Sequence, residues 1–183
     1  VLHGRAGVAA HRRGARGLVG DLGTRGAAQL PRDLAALPQV RERVWGCGFH
    51  WYVEDHFDHV RLVHDAWPDK HLLFTEGCQE GGPHAGAWEV GERYARSMIH
   101  DLNRWTEGWI DWNLLLDEHG GPNHVGNFCS APMLADTAAG RLLPQSAYAY
   151  IGHFARFVRP GARRVLCAAT REALECTAFV DAA

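Results

Sequence analysis

The chain has 183 residues, 46% of them hydrophobic, which is enough for one domain with its own core. Its formal net charge of -2 gives no electrostatic reason to expect nucleic acid or an acidic membrane surface as a partner, and no apolar run is long enough to span a bilayer. The five cysteines, Cys47, Cys78, Cys129, Cys167 and Cys176, are widely spaced and include no C-x-x-C pair, the pattern of neither a disulfide framework nor a zinc ribbon.

Residues 1–43 stand apart as a leader dominated by Arg, Gly, Ala and Leu. Its first 40 residues contain no Phe, Tyr, Trp, Ile or Lys. Val1 to Gly26 shows no period of 2 or 3.6, and Pro31 and Pro38 bracket a short possible helix over Asp33 to Ala36. Lys70 is the only lysine of the chain, against many arginines, a bias expected of GC-rich coding DNA. The leader is expected to be disordered or a mis-framed or mis-started translation, with a flexible basic arm as the alternative. No signal peptide is expected, because Arg12, Arg13 and Arg16 interrupt any apolar stretch.

From Val44 the chain is patterned. Val44 to Tyr52 reads as a buried strand with a polar and aromatic tip. Phe57, Val60, Leu62, Val63 and Trp67 mark a helix that Pro68 and Asp69 terminate. Leu72-Leu73-Phe74 is a second strand, running through Thr75 to a single carboxylate, Glu76, and then into Gly77 and a glycine-rich loop. Buried parallel strands that deliver a side chain into a site end in this way, since chemistry in barrels and open α/β sheets sits at the carboxyl ends of strands. Glu76 is therefore a candidate catalytic carboxylate; the alternative is a strand-end acid in a surface salt bridge.

Val90, Tyr94, Met98, Leu102 and Trp105 recur every four or three residues, which predicts a helix over about 88–105, with Glu92 and Arg96 paired on its wet side. Trp109 to Leu116 reads as a third strand. Crossovers of this length make the three strands parallel. A long loop carries Gly120-Gly121-Pro122-Asn123 and Asn127-Phe128. Met133 to Leu143 suggests a hairpin turning at Ala139-Gly140, and Tyr148 to Val158 a helix stopped by Pro160-Gly161. Arg164–Ala169 and Leu174–Val180 read as a hairpin of a β-rich appendage.

Other side chains compete for a functional reading. His56, His59 and His64, with Asp55 and Asp58, cluster on or before the first helix, but the i+8 spacing brings in only a marginal third ligand, and a solvated helix face is the expectation. No metal and no cofactor is expected. Asp111 and Trp112 would point to opposite faces of a regular strand, so one of them can face a pocket. The expectation is Trp112 there and Asp111 as a buried, paired acid. Glu80 is expected to be a loop residue. Seven tryptophans, all but Trp45 between Trp51 and Trp112, suit sugar binding or simply a large aromatic core.

Five motifs then occur in order: G-F-H-W-Y (48–52), L-L-F-T-E-G-C (72–78), G-W-I-D-W-N-L-L-L-D (108–117), G-G-P-N (120–123) and Y-I-G-H-F-A-R-F-V-R-P-G (150–161). Together they make the stretch from about Val44 to Val180 resemble the C-terminal half of the catalytic domain of glycoside hydrolase family 30, the glucosylceramidase group. The resemblance implies an α/β fold: a partial (β/α)8 TIM barrel, with strands six to eight in residues 44–160, and the first strands of a C-terminal β-domain in residues 161–183. It implies hydrolysis of β-glycosides with retention, with Glu76 as nucleophile at the end of the seventh strand. His50 and Tyr52 at the end of the sixth, Trp112 at the end of the eighth and Asn127 in the following loop are then pocket residues, Trp112 flanking the sugar and Asn127 bonding a hydroxyl.

The implied partner is a β-glycoside such as glucosylceramide or a β-glucan. A secreted or lysosomal location is common in the family, and nothing in these residues chooses one. The family's acid/base glutamate lies in an Asn-Glu-Pro motif on the fourth strand. No Asn-Glu-Pro occurs in these residues, so this chain alone is expected to be inactive and poorly soluble, with an exposed sheet edge. A non-catalytic carbohydrate-binding or degenerate domain, or an endo-β-1,6-glucanase or xylanase of the same family, is the alternative.

Overall fold

The computed structural model describes residues 7–10, 16–19, 36, 41–52 and 54–181. The helix suggested over Asp33 to Ala36 lies almost wholly outside them. The described chain divides into two compact units.

The first unit comprises residues 1–77 and 100–110 and is built on one five-stranded sheet. Its strands, in spatial order, are β1 (Gly7–Ala10), β2 (Arg16–Val19), β3 (Val44–His50), β4 (His71–Glu76) and β5 (Thr106–Trp109). β1 is antiparallel to β2, and the other neighbours are parallel. Two short strands therefore form in a leader that shows no strand period in sequence, and the ladder with β3 holds the second of them.

Helix α1 (Phe57–Ala66) crosses from β3 to β4. It buries Val60 and Val63, one turn apart, whereas Leu62 is exposed and does not belong to the apolar stripe its residue type suggests. The helix stops before Pro68, with Trp67 N–H donating to the carbonyls of Val63 and His64. Val44, Cys47, Phe49, Trp51, Leu72 and Phe74 are all buried. Beneath the strand ends, Phe74 stacks on Trp109 (centroids 4.2 Å apart) and meets Phe49 and Trp51 edge to face at 5.6 and 5.7 Å. Burial of each such ring is worth about 2–3 kcal/mol, so the carboxyl ends of β3, β4 and β5 share one rigid aromatic floor.

The third strand of the sequence pattern is displaced. Helix α2 (Trp88–Leu102) ends three residues before Trp105, because Trp105 takes a left-handed backbone (φ +64°) and its ring stacks on His64 at 4.1 Å. The chain is then free to enter β5 at Thr106, opposite Leu72. Pairing ends at Trp109, with one further ladder bond from Ile110 N–H to the Phe74 carbonyl (2.9 Å). Residues 110–114 are thus a connection, not the body of a strand.

The second unit comprises residues 78–99 and 111–183. Most of α2 belongs to it, with Val90, Tyr94 and Met98, four residues apart, all buried as the stripe requires. The wet-side pairing differs from expectation: Glu92 accepts from Trp88 Nε1 (3.2 Å), and Arg96 reaches Glu175 (3.5 Å). Strands β6 (Leu115–Asp117), β7 (Met133–Asp136) and β8 (Arg141–Pro144) form a three-stranded sheet in that order. The β7–β8 hairpin turns at Gly140, which has φ +62°.

Helix α3 (Ser146–Phe157) docks on α2 at Gly91, where a Cβ would lie 2.4 Å from the Tyr150 ring. Ser146 Oγ accepts from Gly91 N–H and donates to the Ala87 carbonyl there. β9 (Arg163–Val165) and β10 (Ala178–Val180) close as an antiparallel pair. Among the described residues, no helix is long and apolar enough to cross a membrane.

Candidate active site

Glu76 is the last residue of β4, and its position depends on one irregularity. Gly46 to Phe49 of β3 pair in order with His71 to Phe74 of β4, and then His50 pairs with Glu76, leaving Thr75 as an extra residue. Thr75 Oγ1 caps the Phe49 carbonyl at 3.5 Å. Without this bulge Thr75 would stand beside His50. With it, the carboxylate does.

Tyr52, just past the end of β3, donates its hydroxyl to Glu76 Oε1 at 3.1 Å. The His50 ring lies edge-on to Tyr52, centroids 5.7 Å apart. Gly77 follows directly on the aromatic floor. A Cβ there would lie 2.8 Å from the Phe74 ring and 3.1 Å from Trp51, so only glycine lets the chain leave the strand this close to its core. The result is a half-buried carboxylate with one phenolic donor on a strand end that packing holds fixed. A carboxylate so placed can act as a nucleophile or base, and the phenol's hydrogen bond holds it in orientation.

Of the sequence-derived site residues, the first unit brings together Glu76, Tyr52 and His50. Trp112 and Asn127 belong to the second unit. Trp112 is not at a strand end, since β5 stops at Trp109; it sits in the 110–114 connection and is 56% exposed. Its neighbour Asp111 accepts from Tyr94 Oη at 2.9 Å through Oδ1, while Oδ2 is buried without a bonding partner. Burial pushes the Asp111 carboxyl up to about 6, the Tyr94 bond opposing, and burial with Asp111 beside it raises the Tyr94 phenol.

Asn127 is exposed and donates its amide to Glu80 Oε1 at 3.1 Å. Glu80 is a loop residue, but also a bridge partner of Cys129. The Glu80–Asn127 pair is the feature that sequence spacing did not reveal, because 47 residues separate its members. Gly81, Gly82, His119, Gly126, Asn127 and Phe128 line a shallow depression beside it.

The histidine cluster does not converge. His56 and His59 stack on each other at 4.5 Å, while His64 turns to Trp105. Among the described residues no three His, Cys, Asp or Glu side chains are arranged to hold a metal ion.

A carboxylate at the carboxyl end of a parallel strand, backed by βα crossovers, is the layout of a barrel-type enzyme. Comparison with known proteins makes that class specific. The glycosyl hydrolase family 30 TIM-barrel domain matches residues 33–158, and the chain belongs to that family. It is 32% identical over 142 residues to the lysosomal acid glucosylceramidase of Mus musculus, covering 73% of this chain and 27% of that protein. Among solved structures it is similar to SrfJ from Salmonella typhimurium, with TM-score 0.81 and 38% identity over 88% of this chain and 36% of that one. It is also similar to the endo-beta1,6-glucanase BT3312, with TM-score 0.70 and 27% identity over 84% and 35%. The chain spans about a quarter of the length of the curated relatives it matches.

Proposed function

We propose that these residues are part of a retaining β-glycoside hydrolase of the glucosylceramidase type, with Glu76 as its nucleophile. The observation that carries the reading is the Tyr52 Oη to Glu76 Oε1 bond at 3.1 Å, on a carboxylate set at a parallel strand's carboxyl end. Retention requires two carboxyl groups about 5 Å apart. The Glu76 carboxylate attacks the anomeric carbon as the bond to the leaving oxygen breaks, giving a covalent glycosyl-enzyme. A second carboxylic acid protonates that oxygen, then takes a proton from the water that hydrolyses the intermediate. Tyr52 holds Glu76 in orientation through its hydrogen bond. His50 supports Tyr52 through the ring contact and lies beside Glu76 in the ladder.

β3, β4 and β5 correspond in this reading to barrel strands six, seven and eight, and residues from 161 onward begin an appended β-domain. Trp112 offers an exposed indole face to a sugar, and Asn127 an amide already oriented by Glu80. The second carboxyl belongs to an Asn-Glu-Pro segment that this sequence does not contain, so these 183 residues alone are expected to turn over no aryl β-glucoside. Measurable turnover by the purified chain would refute that. The name of the mouse relative favours glucosylceramide as substrate, while the likeness to an endo-beta1,6-glucanase keeps a β-1,6-glucan as the second reading.

The test is stereochemical. In a protein carrying the whole barrel, proton NMR of the first product released from an aryl β-glucoside should show the β-anomer, mutarotating later. An α-anomer appearing first would mean inversion and remove Glu76 as nucleophile.

A further inference from the structure

The second unit holds a pair of thiols that neither the glycosidase chemistry nor the spacing of the sequence explains. Cys78 and Cys129 are 51 residues apart, yet their Sγ atoms approach to 3.1 Å. Both side chains are only 3% exposed. The backbone on either side is tied at the Glu80–Cys129 bridge, with Ser130 N–H donating to the Gln79 carbonyl (2.8 Å) and Gly82 N–H to the Phe128 carbonyl (2.9 Å). Cys129 N–H also donates to the Gly120 carbonyl at 3.1 Å, and Gly120, at φ +84°, could not carry a Cβ because it would lie 2.5 Å from the Cys129 carbonyl oxygen. The backbone thus brings the two sulfurs together before any covalent bond exists. A disulfide needs an S–S distance of about 2.05 Å, so closing the gap takes about 1 Å, within reach of a small side-chain rotation.

We propose that Cys78 and Cys129 form a structural disulfide when the protein folds in an oxidising compartment. The oxidant is a small-molecule disulfide of the glutathione type. The thiolate of one cysteine attacks it, displacing one small thiol and leaving a mixed disulfide on the protein. The thiolate of the other cysteine then attacks the protein sulfur of that mixed disulfide. The Sγ–Sγ bond forms, the second small thiol leaves, and two protein thiols have been oxidised as one disulfide is reduced to two thiols.

Access sets the timing. A dissolved disulfide cannot reach sulfurs this deeply buried, so the bond forms during folding and is then shielded from reductants in the native state. This makes it a fastener, not a switch. It fixes the chain two residues beyond Glu76 to the loop that carries Asn127, yet its existence does not depend on the glycosidase reading. Cys47 is the internal control. Cys47 is buried on β3 with its Sγ 3.5 Å from the Gly48 carbonyl. Cys167 and Cys176 are half-exposed in the connection between β9 and β10, where their side chains meet each other.

The experiment is to refold the full-length gene product in a glutathione redox buffer, alkylate it under denaturing, non-reducing conditions, and map tryptic peptides by mass. The expected result is a peptide pair joining His71–Arg93 to Trp105–Arg141, two mass units below their sum, with Cys47 alkylated. The link should survive a mild reductant under native conditions and vanish when denaturant is added. Alkylation of both Cys78 and Cys129 as thiols, or a link from either to Cys47, Cys167 or Cys176, would overturn the proposal. Cys129→Ser can be probed even when poorly folded and gives a second arm: Cys78 should then appear as a thiol or glutathione adduct, and a new protein disulfide on Cys78 would overturn selective pairing.

Discussion

The two units position their candidate site residues by different means. In the first, Glu76 is placed by a continuous backbone ladder, one bulge at Thr75, and a floor of Phe49, Trp51, Phe74 and Trp109. In the second, Asn127 is placed by one exposed bond to Glu80 within a loop held by single backbone links. A ladder fixes a side chain to within the tolerance of covalent catalysis, because moving it means breaking several bonds and unpacking a core at once. A single surface bond fixes an amide well enough to meet a hydroxyl but leaves it replaceable. On the proposed reading the nucleophile therefore belongs on the sheet, and contacts that select a sugar can reside on loops.

The comparison can be tested by substitution, and the largest effect should come from the carboxylate. In a protein carrying the whole barrel, Glu76→Gln should lower kcat by ~10^4-fold or more while leaving the urea midpoint nearly unchanged, since glutamine still accepts from Tyr52. Next comes the ladder itself. Gly46→Ala sets a Cβ 2.3 Å from the His71 carbonyl oxygen, and should destabilise the fold by about 3 kcal/mol in denaturant melts. Gly126→Ala, in the loop, meets nothing within 4 Å and faces only its φ of +72°, a cost of about 1 kcal/mol. Equal losses at the two glycines would break the distinction between sheet and loop.

Tyr52→Phe removes the donor to Glu76 and should lower kcat/KM by ~10-fold, with little loss of stability. A separate effect is on pH dependence. Burial lifts the Asp101 carboxyl from 3.8 to about 7, against a bond from Trp109 Nε1 that lowers it. Between about 4 and 7 the folded protein holds a proton that the unfolded chain has released. Stability should therefore fall as pH rises through that window and stay low above it. Asp101→Asn, which still accepts from Trp109, should flatten that slope in urea midpoints measured across the range.

Much of the first unit was legible in the residues. Val44–Tyr52 and Leu72–Glu76 read as strands because buried parallel strands are short apolar runs, and α1 read as a helix because Val60 and Val63 recur on one face. The early end of α2 was not legible. Leu102 and Trp105 continue the apolar period, and only the stack of Trp105 on His64, a contact across 41 residues, draws Trp105 into a left-handed turn. Asp111 and Trp112 were accordingly placed on a strand that ends before them. β1 and β2 carry no period in the sequence because their pairing is set by the ladder, and the meeting of Cys78 with Cys129 depends on a bridge and loop links that leave no period either. At the candidate site, the strand-end position of Glu76 was legible, but the Thr75 bulge that sets it beside His50 was not.

The most direct test of Glu76 is covalent capture. A 2-deoxy-2-fluoro β-glucoside with a good leaving group slows hydrolysis of the glycosyl-enzyme and lets it accumulate. After digestion of the labelled protein, the account predicts one added fluorosugar on the peptide His71–Arg93, with fragmentation placing it on Glu76. A label on Glu80, Asp111 or any other carboxylate, in a protein that hydrolyses the substrate with retention, would contradict it.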